Sequence, residues 1–353
     1  MTGQGELSQC ICRSSLTPRR TLWVDALSIN QKDPIERAQQ VSIMKDVYSG
    51  ADKVIIFIGL EEHRSDEAMA CVADVNGDIS TQNRQAVNSL LRRPWFSRVW
   101  VVQEVARSRS AVVVCGFKAV AWDCFWRLPF RCRQSGWSDF SSTDGLPGIL
   151  NYSSDHPPLS GSEGLLHLLH ENREAGATDL RDKIFGMLGL MNDASPYLKL
   201  IDYTSSVDSV YSNVAHQVIQ DSGSLTILSA AGHGYLDVFN RNIRGLSVPS
   251  WVPDWSISRP AASLTLGKTF VEPFEAGGRQ SCIRINFQSW KPKILSAMGT
   301  KVGSVREVSN SARIGYVPSE LERQKAEMSI LQKWFDVALG VVSVCLGDLL
   351  PSN

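Results

Sequence analysis

A chain of 353 residues with 36 basic and 36 acidic side chains has no formal net charge, which excludes a broad electrostatic footprint for nucleic acid or an anionic membrane. Hydrophobic content of 43% and charged content of 20% are those of a soluble globular protein, large enough for one large domain or two ordinary ones. Eight cysteines without a CxxC pair or regular spacing exclude a disulfide framework and read as free thiols of a reducing cytosol.

From the N-terminus, residues 1–20 lack the apolar core of a secretory signal. Cys10 and Cys12 form a CxC, but a metal would need two further ligands near it. Leu22, Trp23 and Val24 predict a short strand ending at Asp25. Asn30 and Gln31 are placed to fix the following loop through side-chain to backbone bonds. Asp33, Pro34 and Glu36 then supply a capping side chain, proline at the first helical position and an acid in the first turn. Ile35, Ala38, Val41, Met44 and Tyr48 fall on one stripe, and Gly50 is placed to end the helix.

Val54 to Ile58 and Ala111 to Cys115 are short runs apolar on both faces, each closed by glycine, as central parallel strands are. Helices are predicted between them at 65–73, 82–92 and 97–107, giving an α/β unit with right-handed crossovers. Residues 134–164, rich in Ser, Gly, Pro and Asp, read as a flexible insertion. Helices follow at 164–174, 182–190 and 207–222. Short strands are expected at Ile283–Phe287 and Lys293–Met298, and helix over 318–346. The apolar stretch from Val337 to Gly347 is too short to span a bilayer, which takes about 20 residues. The expected compartment is the cytoplasm.

Five blocks stand in order along the chain: LWVDALSINQ with Glu36, Arg37, Gln40 and Val41; RRPWFSRVWVVQEV at 92–105 with VVVCG at 112–116; ATDLRDKIFGMLGL at 177–190; IDYTSSVDSVYSNVA at 201–215; and VPSWVPDWS at 248–256. Taken together, they resemble the fungal heterokaryon incompatibility (HET) domain. KILSAMGTKVGSV at 293–305 resembles the strand that often follows in long members. Ser28 stands where the family usually has Cys. The family's opening strand and helix find no match in residues 1–20, so the resemblance implies a truncated domain and, as one alternative function, an inactive family member.

The resemblance implies a Toll/interleukin-receptor (TIR)-like, flavodoxin-like α/β fold: a parallel sheet with helices, lacking its first strand and helix, plus a mixed α+β extension. The corresponding division is a non-matching segment at 1–20, a partial HET core at 21–133, the insertion at 134–164, the family's helical and mixed extension at 165–310, and a helical tail at 311–353. It also implies a role in non-self recognition and programmed cell death, through protein partners and homotypic self-association.

Some TIR domains cleave the glycosidic bond of NAD with a glutamate four residues after a tryptophan. Trp100 and Glu104 have that spacing, so the resemblance makes Glu104 the candidate catalytic residue and NAD a candidate substrate. Trp23, Asp25, Asn30, Gln31, Trp95, Arg98, Trp100 and Gln103 are the accompanying pocket or motif residues. From the residues themselves, Glu104 reads as an ion-pair partner, for instance of Arg98 or Arg107, Asp25 as a turn residue, and Trp95, Phe96 and Trp100 most simply as core aromatics. Trp251 and Trp255 read as packing anchors. His167 and His170 lack further ligands, and no metal set or phosphate-cradling glycine loop is present.

Overall fold

The computed structural model describes residues 21–137, 148–153, 158–231 and 248–257. All of them belong to one of two units into which the chain divides; the second (Leu236–Arg244 and Met298–Asn353) lies wholly outside the described residues. So do the strands expected at 283–287 and 293–298, the helix expected over 318–346, and Cys10 and Cys12.

Asp33 starts the first long helix as its sequence predicts. Its carboxylate accepts from the N–H groups of Ile35 (2.9 Å) and Glu36 (3.2 Å). Helix α1 then runs Pro34–Gly50. Glu36 reaches back past the cap and accepts from the Asn30 N–H at 3.0 Å. Val41 and Met44 are buried on the inner stripe, but Ile35, placed on that stripe by its spacing, is 63% exposed.

Strand β1 (Val54–Phe57) is followed by α2 (Ser65–Ala73), α3 (Thr81–Leu91), a 3-10 turn at Pro94–Ser97, α4 (Val101–Ala106) and β2 (Ala111–Cys115). The two strands pair in parallel, from Val54 opposite Ala111 to Phe57 opposite Val114. Strand β3 (Lys118–Ala121) returns antiparallel to β2, so the sheet order is β1-β2-β3. The turn between them is Gly116-Phe117, with Gly116 at φ 54°, a backbone setting that glycine adopts without steric cost. Helices α5 (Trp122–Trp126), α6 (Leu128–Gln134), α7 (Gly161–Glu171), α8 (Asp182–Leu188) and α9 (Val207–Ser222) complete the described elements used below.

Four expectations are corrected. The segment 22–24 forms no strand: the carbonyl of Val24 takes the N–H groups of Leu27 and Ser28, and a single helical turn, Asp25–Ser28, results. The helix expected over 97–107 is interrupted because Arg98 is extended and bridged to Gly176; Val99 N–H donates to the Gly176 carbonyl at 2.8 Å. The sheet has one parallel pair and one antiparallel pair rather than being wholly parallel. The insertion at 134–164 is not all loop, since a 3-10 turn forms at Gly148–Asn151 and α7 begins at Gly161.

One sheet face is closed. Val54, Ile56, Ala111, Val113, Cys115 and Val120 are all buried, with α2 and α5 packed against β2 and β3. An aromatic cluster extends this core: Trp122 stacks on Phe125 at 5.8 Å and meets Trp95 edge-on at 5.8 Å, while its indole N–H donates to the Tyr152 carbonyl. Helix α4 joins the sheet layer to the later helices, touching α1 on one side and α8 on the other. Helix α8 packs on α7, and α7 on α9. Trp255 packs edge-on against Tyr211 of α9 at 5.1 Å, the anchoring role expected of it.

The α4–α8 contact is close because Gly189 leaves room for the buried Gln103. A Cβ at Gly189 would overlap the Gln103 carboxamide. Gly189→Ala is therefore expected to cost roughly 1–3 kcal/mol in urea unfolding. Adding Gln103→Ala should recover part of that loss; strictly additive costs would show that the two sites do not compete for space.

Candidate functional site

A cleft of about 460 Å³ opens where four segments meet. Asp25, Ala26, Ile29 and Gln31 come from the turn and loop before α1. Arg37, Val41 and Met44 come from α1, and Ser97, Arg98 and Trp100 from the stretch entering α4. The last wall is Gly176, Ala177, Thr178 and Asp182. Ile29, Val41 and Met44, all buried, give it an apolar floor. The backbone bridge between Arg98 and Gly176 holds two of the walls together, with the Gly176 N–H donating to the Ser97 carbonyl at 2.5 Å.

Asp182 governs the polar side of this cleft. Arg37 donates to both of its oxygens, at 3.2 and 2.9 Å. The Trp100 indole N–H donates at 3.1 Å and the Tyr203 hydroxyl at 2.6 Å. Arg37 also bonds Asp179 at 3.0 Å and lies 3.7 Å over the Tyr203 ring. Arg181 grips Asp179 through two bonds of 2.9 Å and donates to the Tyr203 and Ser205 carbonyls. The two aspartates respond in opposite directions. Burial pushes Asp182 up despite Tyr203, Arg37 and Trp100. Burial also pushes on Asp179, but bonds from Arg181 and the charge of Arg37 hold it below the usual carboxylate range.

Glu104 does not line the cleft. It is partly buried behind the wall made by Asp25 and Arg98, and it accepts from the Trp95 indole N–H at 3.2 Å. Trp100, four residues earlier, turns instead to Asp182, so the two residues of the spacing serve neighbouring clusters. No ion pair within 4.0 Å joins Glu104 to Arg98 or Arg107 among the described residues; Arg107 donates to the Gly189 carbonyl at 2.7 Å. Burial raises Glu104 from the ordinary 4.5 to about 7, with Asp25 adding to the shift and Arg98 and Trp95 opposing it. Tyr48 is pushed up by burial and by the same two acids, and Trp23 meets its ring edge-on at 5.8 Å.

Of the residues singled out from sequence, Asp25, Gln31, Arg98 and Trp100 share the cleft, and Trp23, Trp95 and Glu104 cluster beside it. Asn30 fixes the loop, accepting from the Lys32 N–H at 3.2 Å, whereas Gln31 faces the cleft instead. Gln103 is buried against Gly189, its amide nitrogen without a partner. Sequence reasoning did not single out Arg37, Asp179, Arg181, Asp182 and Tyr203 as site residues. Their signal was present, since each belongs to one of the quoted blocks, but nothing in one dimension showed that the blocks converge.

Residues 5–104 match the family model for Heterokaryon incompatibility protein (HET). That match begins within the twenty residues set outside the family pattern above. "Heterokaryon incompatibility protein 6, OR allele" of Neurospora crassa is 25% identical in an alignment covering 83% of this chain and 52% of that protein. The chain thus spans about half the length of this curated relative. No solved structure matches it.

Two outcomes follow from the electrostatics. Arg37→Ala strands the carboxylate of Asp182, whose side chain is 7% exposed, and should cost about 3 kcal/mol of stability. Asp182→Asn in the same chain should return part of it, and a loss under about 1 kcal/mol would remove Asp182 as the organising group. For Glu104, the folded state binds its proton more tightly than the unfolded one. Glu104's contribution to stability is therefore fully present below pH 4.5 and is lost as pH rises through about 7. Wild type should lose at most about 3 kcal/mol across that window relative to Glu104→Gln; parallel pH profiles in urea unfolding would show that Glu104 titrates normally.

Proposed function

We propose that the chain, whose residues 5–104 match the heterokaryon incompatibility (HET) family model, is a fungal incompatibility module that signals non-self recognition and cell death through protein partners, including copies of itself. The observation that carries this reading is the composition of the cleft. Three of its walls fall inside the family-matched residues 5–104, and the fourth, Gly176–Asp182, is held to them by Arg37 and Trp100. The family segment and the chain that follows it therefore act as one body. The parallel β1–β2 pair, joined through a helical crossover, is the element a TIR-like sheet would share. No described helix is long and apolar enough to cross a membrane.

A second reading is favoured by one observation, the Glu104 carboxyl held near neutrality beside the cleft. In that reading the site hydrolyses NAD. Water adds to the ribose carbon, nicotinamide leaves, and a carboxylate stabilises the oxocarbenium-like transition state.

Expression in hyphae separates the two. The module reading expects growth arrest and death on expression, unchanged by Glu104→Gln, with NAD intact in purified protein. The enzyme reading expects NAD loss in vitro, abolished by Glu104→Gln together with the death response. Normal growth in cells that accumulate the folded chain would overturn the incompatibility reading itself.

A further inference from the structure

Among the described residues, the exposed large aromatic side chains are confined to one stretch: Phe117 (78% exposed), Trp126 (42%) and Phe130 (63%). Helices α5 and α6 run on through Arg127, which is itself helical, and the Arg131 N–H donates to the Arg127 carbonyl across the junction. The combined element, Trp122–Gln134, is roughly 20 Å long. Its inner face is conventional, with Trp122, Phe125, Leu128 and Cys132 in the core. The outer face is not. Trp126, Phe130 and Arg133 are spaced at four and three residues and so share one stripe, with Arg127 beside it. Arg127 and Arg133 have no ion-pair partner within 4.0 Å among the described residues. Exposed Trp, Phe and Arg together are the composition of an interface centre rather than of a solvated helix.

A matching surface is present on the same chain. Leu60 is 40% exposed, and residues 61–67 hold four carboxylates, Glu61, Glu62, Asp66 and Glu67, against Arg64. Arg64 is engaged by Glu67 and Glu62 lies 3.8 Å from Arg93, while Glu61 has no cation within 4.0 Å among the described residues. This loop packs on the β2–β3 turn, with the Gly116 N–H donating to the Gly59 carbonyl at 3.0 Å. The helix springs from the other end of β3, roughly 10 Å along the strand. The acidic loop thus lies on the same layer as the basic aromatic stripe without neutralising it. A two-fold contact needs a surface that complements itself, and these two patches supply that. The same carboxylates argue against an anionic lipid surface, which they would repel.

We propose that the outer face of Trp122–Gln134, through Trp126, Phe130, Arg127 and Arg133, docks on the acidic Leu60–Glu62 loop of a second copy of this chain. The proposal rests on the self-association part of the function proposed above.

Sedimentation velocity of the full chain over a range of concentrations tests it. Wild type should form a dimer that high salt weakens. Phe130→Ser, the pair Arg127→Glu with Arg133→Glu, and Glu61→Lys should each raise the dimer dissociation constant at least about tenfold, at unchanged melting temperature. Mixing the two charge-reversed chains should restore dimers, a result that misfolding cannot produce. A wild type that stays monomeric at every concentration, or a mixture that fails to recover, overturns the surface. So does a monomer that floats with phosphatidylserine vesicles in a Phe130-dependent way, which would make the face a lipid contact. A monomeric chain that still causes death in hyphae would sink this surface and leave the incompatibility reading standing.

Discussion

The carboxylate of Asp182 is the point on which the described structure turns. A buried ionised group must be paired and hydrogen-bonded to persist, and here the partners come from three distant places: Arg37 on α1, Trp100 at the entrance to α4, and Tyr203 before α9. Satisfying one acid therefore fixes the relative placement of the first long helix, the chain before β2 and the later helical layer. Asp179 and Arg181 extend the same grip to the Tyr203 and Ser205 backbone.

The cleft is a consequence of that arrangement. Elements drawn together by a polar hub cannot also close over it, because the charged groups need room and partial solvation. The resulting space has an apolar floor under a rim of balanced charge. The second acid, Glu104, belongs to a different environment. Among the described residues its hydrogen-bond partner is the Trp95 indole, and burial with no cation within 4.0 Å is why its proton is held more tightly. Both carboxyl groups are thus pushed up by burial, Asp182 against Arg37 in direct contact and Glu104 against the charge of Arg98.

The surface of the sheet layer shows a separate constraint. Helices α5 and α6 use aromatic residues on both faces, though one face would be enough to close the core. Burial of Trp122 and Phe125 is explained by the cluster with Trp95 and Phe96. Exposure of Trp126 and Phe130 is not explained by folding, and that is the reason to look for a partner there.

Local chemistry alone determined a large part of this protein. The Asp33 cap, the limits of α2 and α9, and the two five- and four-residue apolar strands are short-range matters of capping, period and turn residues. The family was legible for the same reason, since its blocks are contiguous stretches. The hairpin to β3 was also readable in principle from Gly116-Phe117 between two short runs. What only the tertiary structure decided was everything that depends on a distant partner. Residues 22–24 have strand-like composition, but among the described residues no strand pairs with them, and Val24 instead caps the helical turn Asp25–Ser28. Arg98 leaves helix because Gly176 offers a backbone bridge. Trp100 and Glu104 share a helical spacing, yet Asp182 and Trp95 draw them to different clusters. Arg37, Asp182 and Tyr203 look like three unrelated residues until the chain folds, because hydrogen bonds between residues 145 and 21 positions apart leave no periodicity to read.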